Sequence, residues 1–435
     1  MKKHRLKVSF PTPFGLALLL SACSIFLAVL ETRPANEGVA AYTFRVLGYW
    51  KEGFWGLLAF TLQMVLILVF GHVLAVSRPI SNALDRITSK VKSNVQAVML
   101  TGGVTMLAGY FNWGFGLIIG AVLARKMGEM AAKRGVGINY PLVASSGYLG
   151  MMVWHGGFSG SAPLKVAESG HFLEEEIGVI PVNETILSTF NLTLNAILVL
   201  AILGLLYGLA KWKKVTPEYP VDQSGQLLPA GNDQLGWWVG GAICLLAASD
   251  LTTVAVSGWG FISLNYINFL LLGLGLVFHK SLKRYVAATG EALKGATGIV
   301  LQFPFYAGIL GVLSSSGLLV WIANYFVQVS SPETFPLLAF MSSGLINLFV
   351  PSGGGQWAVQ GPVIVEAAKE MGISVSDMVM VMAYGDEVTN MLQPFWAMPL
   401  LAITGISPRE MLGYTVCFFL VGSGVFIIGI YCFLG

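Results

Sequence analysis

Val350-Pro-Ser-Gly-Gly-Gly-Gln-Trp-Ala-Val-Gln-Gly-Pro362 interrupts a chain that otherwise reads as a series of apolar helices. Three successive glycines flanked by prolines do not continue a helix comfortably, so the stretch is expected to turn and leave backbone N–H and C=O groups unpaired. Lipid cannot pair such groups. Irregular backbone at membrane depth persists only where it is buried in protein or lines a watery cavity. The expected structure is the tip of a re-entrant hairpin facing a polar site, with Gly353, Gly354 and Gly355 at positive φ or admitting a ligand to bare backbone. On that reading a methyl at Gly354 obstructs the site, whereas one at Gly273, inside an ordinary span, does little. The competing reading is a plain loop between two crossings.

Composition sets the frame. The 435 residues are 55% hydrophobic and 11% charged, against roughly 25% charged in soluble domains, which makes this a polytopic, all-α membrane protein. A net charge of +3, with no basic run interleaved with aromatics, excludes a nucleic-acid groove. Cys23, Cys244, Cys417 and Cys432 lie in apolar segments without CxxC spacing, so neither a disulfide framework nor a zinc site is expected, and no cofactor is called for. Met1-Lys-Lys-His-Arg-Leu-Lys7 before the apolar run 14–30 resembles a signal peptide, but no small-residue cleavage site follows, and the run is read as a retained first helix.

At about 20 apolar residues per crossing, spans fall near 14–31 and 54–77, followed by an amphipathic surface stretch near 79–93. Residues 95–130 break at Gly109-Tyr-Phe-Asn-Trp-Gly-Phe-Gly116 into halves too short to cross, which predicts a first re-entrant hairpin. Residues 141–164 end in Trp154-His-Gly-Gly-Phe-Ser-Gly-Ser-Ala-Pro163 and read as a broken crossing. Spans near 185–209, 235–250, 262–279 and 296–317 follow, with a polar linker at 215–233; then come a hairpin at 335–371, a broken crossing at 377–404 and a last span at 411–434.

The second half repeats the first. Sliding the chain by 236 positions places Ala131, Ala132, Lys133, Val143, Tyr148, Pro163 and Leu164 on Ala367, Ala368, Lys369, Val379, Tyr384, Pro399 and Leu400, and also superposes the hairpins and the broken helices. The repeats are 1–214 and 256–435, joined by a linker and connecting span at 215–255. Five crossings separate the first span from its counterpart near 262, and an odd number inverts the second half. Under the positive-inside rule, Lys2 to Lys7, Arg78 to Lys92, Arg125 to Arg134, Lys211 to Lys214 and Lys280 to Arg284 are cytoplasmic with the N-terminus, and Glu168 and Glu174 to Glu176 are outside. The two hairpins then enter from opposite faces.

Inverted repeats with matching broken helices point to the binding site of a secondary transporter. The breaks supply Asn112 and Trp113; Ser159, Gly160 and Ser161; Ser352, Gly353, Gly354, Gly355 and Gln356; and Asn390, Gln393 and Pro394. Their side chains are neutral, which suits a small anion held by helix N-termini and hydroxyl or amide donors. Carbonyls at the facing helix ends suit a cation, with Na⁺ placed near Asn112, Ser161 and Asn390. Ser and Asn in such segments also serve as helix-packing hydrogen bonds. Asp386 and Glu387 are candidates for ion coupling: a helix starting near Ser376 puts Asp386 about 15 Å deep, half of a 30 Å core. The alternative is a later helix start that leaves both at the surface. His155 is a candidate proton carrier because an ordinary imidazole titrates near about 6.5; a neutral, hydrogen-bonded histidine is the other reading.

Two rival classes fit less well. Gly157-Phe-Ser-Gly160 matches the G-x-S-G of intramembrane serine proteases, whose activating histidine lies on another helix, whereas His155 is four residues from Ser159. Tyr384-Gly-Asp386 touches the intramembrane aspartyl protease pattern without a second Tyr-Asp pair, and no Gly-Lys-Ser/Thr follows the glycine run to make a P-loop. An ion channel also uses glycine loops, but inverted, non-identical halves around one centre fit alternating access better.

Ile346-Asn-Leu-Phe-Val-Pro-Ser-Gly-Gly-Gly-Gln-Trp-Ala-Val-Gln-Gly-Pro362, with Asn112-Trp-Gly-Phe-Gly116, Gly156-Gly-Phe-Ser-Gly-Ser161, Gln302-Phe-Pro-Phe-Tyr-Ala-Gly308 and Gln393-Pro-Phe-Trp-Ala397, resembles the short-chain fatty acid transporter family (AtoE type) over nearly the whole chain. The resemblance implies uptake of acetoacetate, butyrate or similar monocarboxylates across a bacterial inner membrane. It also implies membership of the ion transporter superfamily, with elevator motion, Na⁺ or H⁺ coupling and a homodimer.

Overall fold

The computed structural model describes residues 13–56, 58–212, 233–253, 264–349, 352–393 and 395–434. The basic run Lys2 to Lys7, Lys213 and Lys214, nearly all of the 215–233 linker, Val350, Pro351 and Pro394 lie outside the described residues. Every regular element among the described residues is helical. The first half holds α1 (Pro13–Glu31), α2 (Val39–Gly53), α3 (Leu58–Ala75), α4 (Arg78–Thr88), α5 (Asn94–Phe111), α6 (Trp113–Arg134), α7 (Tyr140–Ser146), α8 (Ser161–Val166), α9 (Glu174–Ile177) and α10 (Thr189–Trp212). After α11 (Leu235–Ser249) come α12 (Leu264–His279), α13 (Leu282–Lys294), α14 (Thr297–Ser315), α15 (Leu318–Gln328), α16 (Phe335–Asn347), α17 (Gly353–Glu370), α18 (Val375–Thr389), α19 (Met398–Thr404) and α20 (Pro408–Leu434).

Among the described residues, α10, α14 and α20 are long and apolar enough to cross a membrane as straight helices. α11 and α12 are apolar but run only 15 and 16 residues, short of the about 20 that a straight crossing uses. The expected surface stretch after the second span is α4, which bends 75° away from α3 and buries Leu84 and Thr88 while its polar face stays out.

Three short helices, α2, α13 and α15, were not expected as separate elements. A window tuned to 20 apolar residues passes over them. α2 buries little beyond Tyr42 and Val46, yet it fixes an inter-half contact: a Cβ on its Gly53 would stand 2.6 Å from Gly311 Cα of α14. The halves interlock more widely, because α1 packs on α14 while α12 packs on α3. α5 to α8, α10 and α16 to α20 pack around the breaks, joined to the rest chiefly through α3, α4 and α15.

Asn112 makes the first hairpin nearly seamless. It ends α5 by donating its N–H to Ala108 O at 2.9 Å and starts α6 by accepting Phe115 N–H on Oδ1 at 3.0 Å. The break is thus one residue, narrower than the expected 109–116. A Cβ on Gly116 would lie 2.5 Å from Gly109 Cα, so the glycines outside the turn serve the close approach of two antiparallel helices.

The glycine triplet departs from expectation. Gly353, Gly354 and Gly355 form the first turn of α17, none is among the positive-φ residues, and Pro362 lies inside the helix. Glycine's penalty in a helix is backbone entropy, about 0.5–1 kcal/mol per residue relative to alanine, and it does not forbid helical φ and ψ. Ser352 caps the turn, its Oγ accepting Gly355 N–H at 3.2 Å. Gly273 also departs: a methyl there would meet Ile243 Cγ2 at 2.8 Å and Cys244 Sγ at 2.9 Å across the α11–α12 contact.

The hairpins open at opposite ends of the 140–166 segment. Asn94, at the start of α5, donates Nδ2–H to Ala210 O at 2.7 Å and accepts Asn139 N–H at 2.7 Å, beside the start of α7. Lys369, near the end of α17, donates to Glu176 O of α9, and the loop after α9 is tied to the end of α8 by Ile180 N–H on Val166 O at 2.9 Å.

Candidate functional site

Both tips reach the stretch 153–161, between a 3₁₀ turn at Leu149–Met152 and the start of α8. At the first, Trp113 N–H, the opening amide of α6, donates to Ser159 Oγ at 2.9 Å, and Phe158 N–H donates to Tyr110 O at 2.8 Å. At the second, the ideal Cβ position on Gly353 lies 2.6 Å from His155 Cε1, and that on Gly354 lies 3.7 Å from Ser161 Cβ. Gly160 is packed so that a Cβ would sit 2.1 Å from His155 O. Thus Asn112, Trp113, Ser159, Gly160, Ser161 and the 352–355 turn gather at one place.

The second broken helix adjoins it from behind. α18 ends at Thr389, a 3₁₀ turn covers Asn390–Leu392, and α19 begins at Met398. Asn390 Oδ1 accepts from Asn347 Nδ2 at 3.1 Å. Gln393 Nε2 donates to Asn347 O, and Gln356 Nε2 donates to Ser343 O at 2.9 Å and Gln360 Oε1 at 2.8 Å. Asn390 and Gln393 tie hairpin two to the break after α18, while Gln356 joins the hairpin's own two helices. The amide of Asn112 is occupied in its cap. Asn347 was missed in the sequence although it stands in the quoted motif; its Nδ2 also reaches Asp386 O at 2.6 Å and Thr389 Oγ1 at 2.9 Å.

Asp386 and Glu387 are buried, 1% and 0% exposed, as is His155 at 0%. The helix start that would have left the carboxylates at the surface does not occur, because Ser374 caps α18 through Asp377 N–H at 3.3 Å. His155 Nδ1 lies 2.7 Å from Asp386 Oδ2, and its Nε2 accepts Ala162 N–H at 3.1 Å. Glu387 Oε2 accepts His155 N–H at 2.8 Å and Gly156 N–H at 3.4 Å. Trp154 stacks on the imidazole, centroids 4.4 Å apart, and Trp113 stands between Trp154 and Trp396 at 6.4 and 5.0 Å.

Asp386 and His155 share the acid–base half of a protease triad. The Nε2 lone pair that would deprotonate a serine is held by Ala162 N–H, and Ser159 Oγ accepts from Trp113. The arrangement suits binding rather than acyl transfer. Among the described residues, buried polar atoms with no hydrogen-bond partner cluster here: Trp154 Nε1, Asn347 Oδ1, Gln356 Oε1, Asp386 Oδ1, Glu387 Oε1 and Gln393 Oε1. Such atoms in a folded interior call for an explanation in function.

Comparison with known proteins agrees with the sequence motifs. The family model for "Short chain fatty acid transporter" matches residues 4–218 and 240–433. Two curated proteins, each described as "Putative short-chain fatty acid transporter", are similar along their length. That of Escherichia coli K12 is 36% identical over 97% of this chain and 96% of its own. That of Haemophilus influenzae Rd is 33% identical over the same shares. Among solved structures, the YdaH transporter of Alcanivorax borkumensis aligns over 98% of both chains at 17% identity with a TM-score of 0.46.

Proposed function

Since the chain belongs to the short chain fatty acid transporter family, we propose that it moves acetoacetate, butyrate or similar short-chain monocarboxylates across a bacterial inner membrane by cation-coupled alternating access. The observation that carries this reading is the meeting of two long-helix N-termini, those of α6 and α17, over Ser159 and Ser161. A helix start carries about half a positive charge and unpaired amide N–H groups, and a carboxylate accepts from amides and hydroxyls without needing a fixed cation. Trp113, Trp154 and Trp396 provide apolar surface for a short alkyl chain. A lysine or arginine there would favour the anion at rest and slow its release.

On this reading 1–214 and 256–435 are inverted repeats, the hairpins are re-entrant, and 215–255 supplies the connection. The crossed packing of α1 on α14 and α12 on α3, and the hairpins opening at opposite ends of one broken helix, support that arrangement. The helices around the breaks travel as the elevator while the others form its frame, in a homodimer with a cytoplasmic N-terminus. Na⁺ or H⁺ drives accumulation.

The test is counterflow of labelled butyrate into proteoliposomes preloaded with unlabelled butyrate, at pH 7.5 with protein-free vesicles subtracted. Saturable uptake, suppressed by acetoacetate, is expected. Uptake equal to that of protein-free vesicles would overturn the proposal.

A further inference from the structure

The tautomer of His155 can be read from its neighbours. Nε2 accepts Ala162 N–H, so its lone pair is in use and the ring proton sits on Nδ1, donated to Asp386 Oδ2 at 2.7 Å. A neutral imidazole thereby holds Asp386 as a carboxylate. Glu387, the next residue, has one oxygen on two backbone N–H groups and the other, Oε1, on nothing. Among the described residues, neither carboxylate pairs with a lysine or arginine; the imidazole against Asp386 is a neutral hydrogen-bond partner.

Two adjacent buried carboxylates with only a neutral imidazole between them carry uncompensated charge, which burial penalises heavily. One proton halves it. Oε1 of Glu387 is the atom with room for that proton, since both oxygens of a protonated acid need not accept. The groups facing the cluster supply no positive charge: Glu387 acts electrostatically on Tyr110 of α5 and Tyr384 of α18, and Tyr384 OH donates to Asn191 Oδ1 of α10 at 2.9 Å. α10, α16 and α17 otherwise present neutral amides, and Lys165 of α8 pairs with Glu168 at 2.7 Å.

We propose that Glu387 is a proton-binding site, and that one proton is taken up there with each carboxylate bound. This rests on the transport reading above and names its coupling ion. The link to substrate is direct: Gly353 at the hairpin tip packs on the imidazole that positions Asp386, while Gly354 faces Ser161. An anion arriving with one proton leaves the net charge of the loaded site unchanged, so the moving helices carry no added charge through a low-dielectric barrier.

The experiment uses purified full-length protein in detergent, weakly buffered near pH 7 with an indicator dye, titrated with pH-matched butyrate, alongside counterflow in proteoliposomes. Wild type should take up about one proton per butyrate bound. Glu387→Gln, which resembles the protonated acid, should take up no proton per butyrate bound. Asp386→Asn removes the neighbouring negative charge, so its proton uptake should be centred at lower pH. Should Glu387→Gln fail to fold, the wild-type stoichiometry and the Asp386→Asn pH profile still decide. Butyrate binding that needs Na⁺ and takes up no proton overturns the assignment and leaves the transport reading intact, as does undiminished uptake by folded Glu387→Gln. Absence of both binding and counterflow in wild type defeats the transport reading itself.

Discussion

Gly353→Ala tests whether the second hairpin tip and the imidazole are in firm contact. The added methyl would lie 2.6 Å from His155 Cε1 and 3.1 Å from Trp154 Cη2, so the ring must move by most of an ångström to reach ordinary contact. It has nowhere easy to go. Asp386 holds Nδ1 at 2.7 Å, Ala162 holds Nε2 at 3.1 Å, and Trp154 covers the face at 4.4 Å. Overpacking of this kind costs about 1–3 kcal/mol, offset by the about 0.5–1 kcal/mol that alanine gains over glycine inside a helix. A net loss of roughly 1 kcal/mol remains, against little or none for Gly354→Ala, whose methyl meets Ser161 at 3.7 Å. Thermal unfolding in detergent measures stability, and counterflow at several butyrate concentrations measures the site. Adding His155→Ala should cancel most of the Gly353→Ala penalty, as a coupled pair requires. If Gly353→Ala is as stable as wild type, transports normally and shows no coupling to His155→Ala, the contact does not exist in the working protein.

Ser159→Ala removes the acceptor of Trp113 N–H and one hydroxyl from the site; the half-saturating butyrate concentration should rise about three- to tenfold, as for one lost hydrogen bond of about 1 kcal/mol, and an unchanged value would remove Ser159 from the site. Asn347→Asp keeps the shape but loses the Nδ2 donors to Asp386 O, Thr389 Oγ1 and Asn390 Oδ1; unfolding should come several degrees earlier, and a wild-type melting curve would show that hairpin two is held otherwise. Single cysteines at the exposed positions Lys133 and Lys369, in a background without native cysteines, should label from opposite faces with an impermeant thiol reagent, Lys133 from the cytoplasm. Labelling of both from one face would cancel the inverted arrangement.

What could be read in the sequence divides by range. Asn112 and Ser352 are caps, and a capping residue declares itself locally, so both tips were found within a few positions. The helical state of the glycine triplet was not, because glycine's cost in a helix is backbone entropy of about 0.5–1 kcal/mol per residue, which the Ser352 cap and tertiary packing can override. The expectation that Gly354 is the sensitive glycine and Gly273 the neutral one failed to foresee packing: His155 lies against Gly353, and Ile243 against Gly273. Glycines such as Gly290 and Gly413, with nothing within 4 Å of an added Cβ, are the better controls. The pairing of His155 with Asp386 spans 231 residues and leaves no local signal. What the sequence did carry was the oddity of two carboxylates deep in an apolar helix.

The crossed packing of α1 on α14 and α12 on α3 bears on how the chain is made. α3 leaves the ribosome about 190 residues before α12, which at about 5–20 residues per second is roughly 10–40 s. In water, the face bearing Val65, Leu68, Val69 and Val73 would spend that interval as a hazard for aggregation. In a bilayer its neighbours are acyl chains as apolar as the helix that will replace them, so the interval is harmless. The order of synthesis then constrains this fold little, and a chain severed between residues 213 and 232 should still assemble from two separately inserted polypeptides.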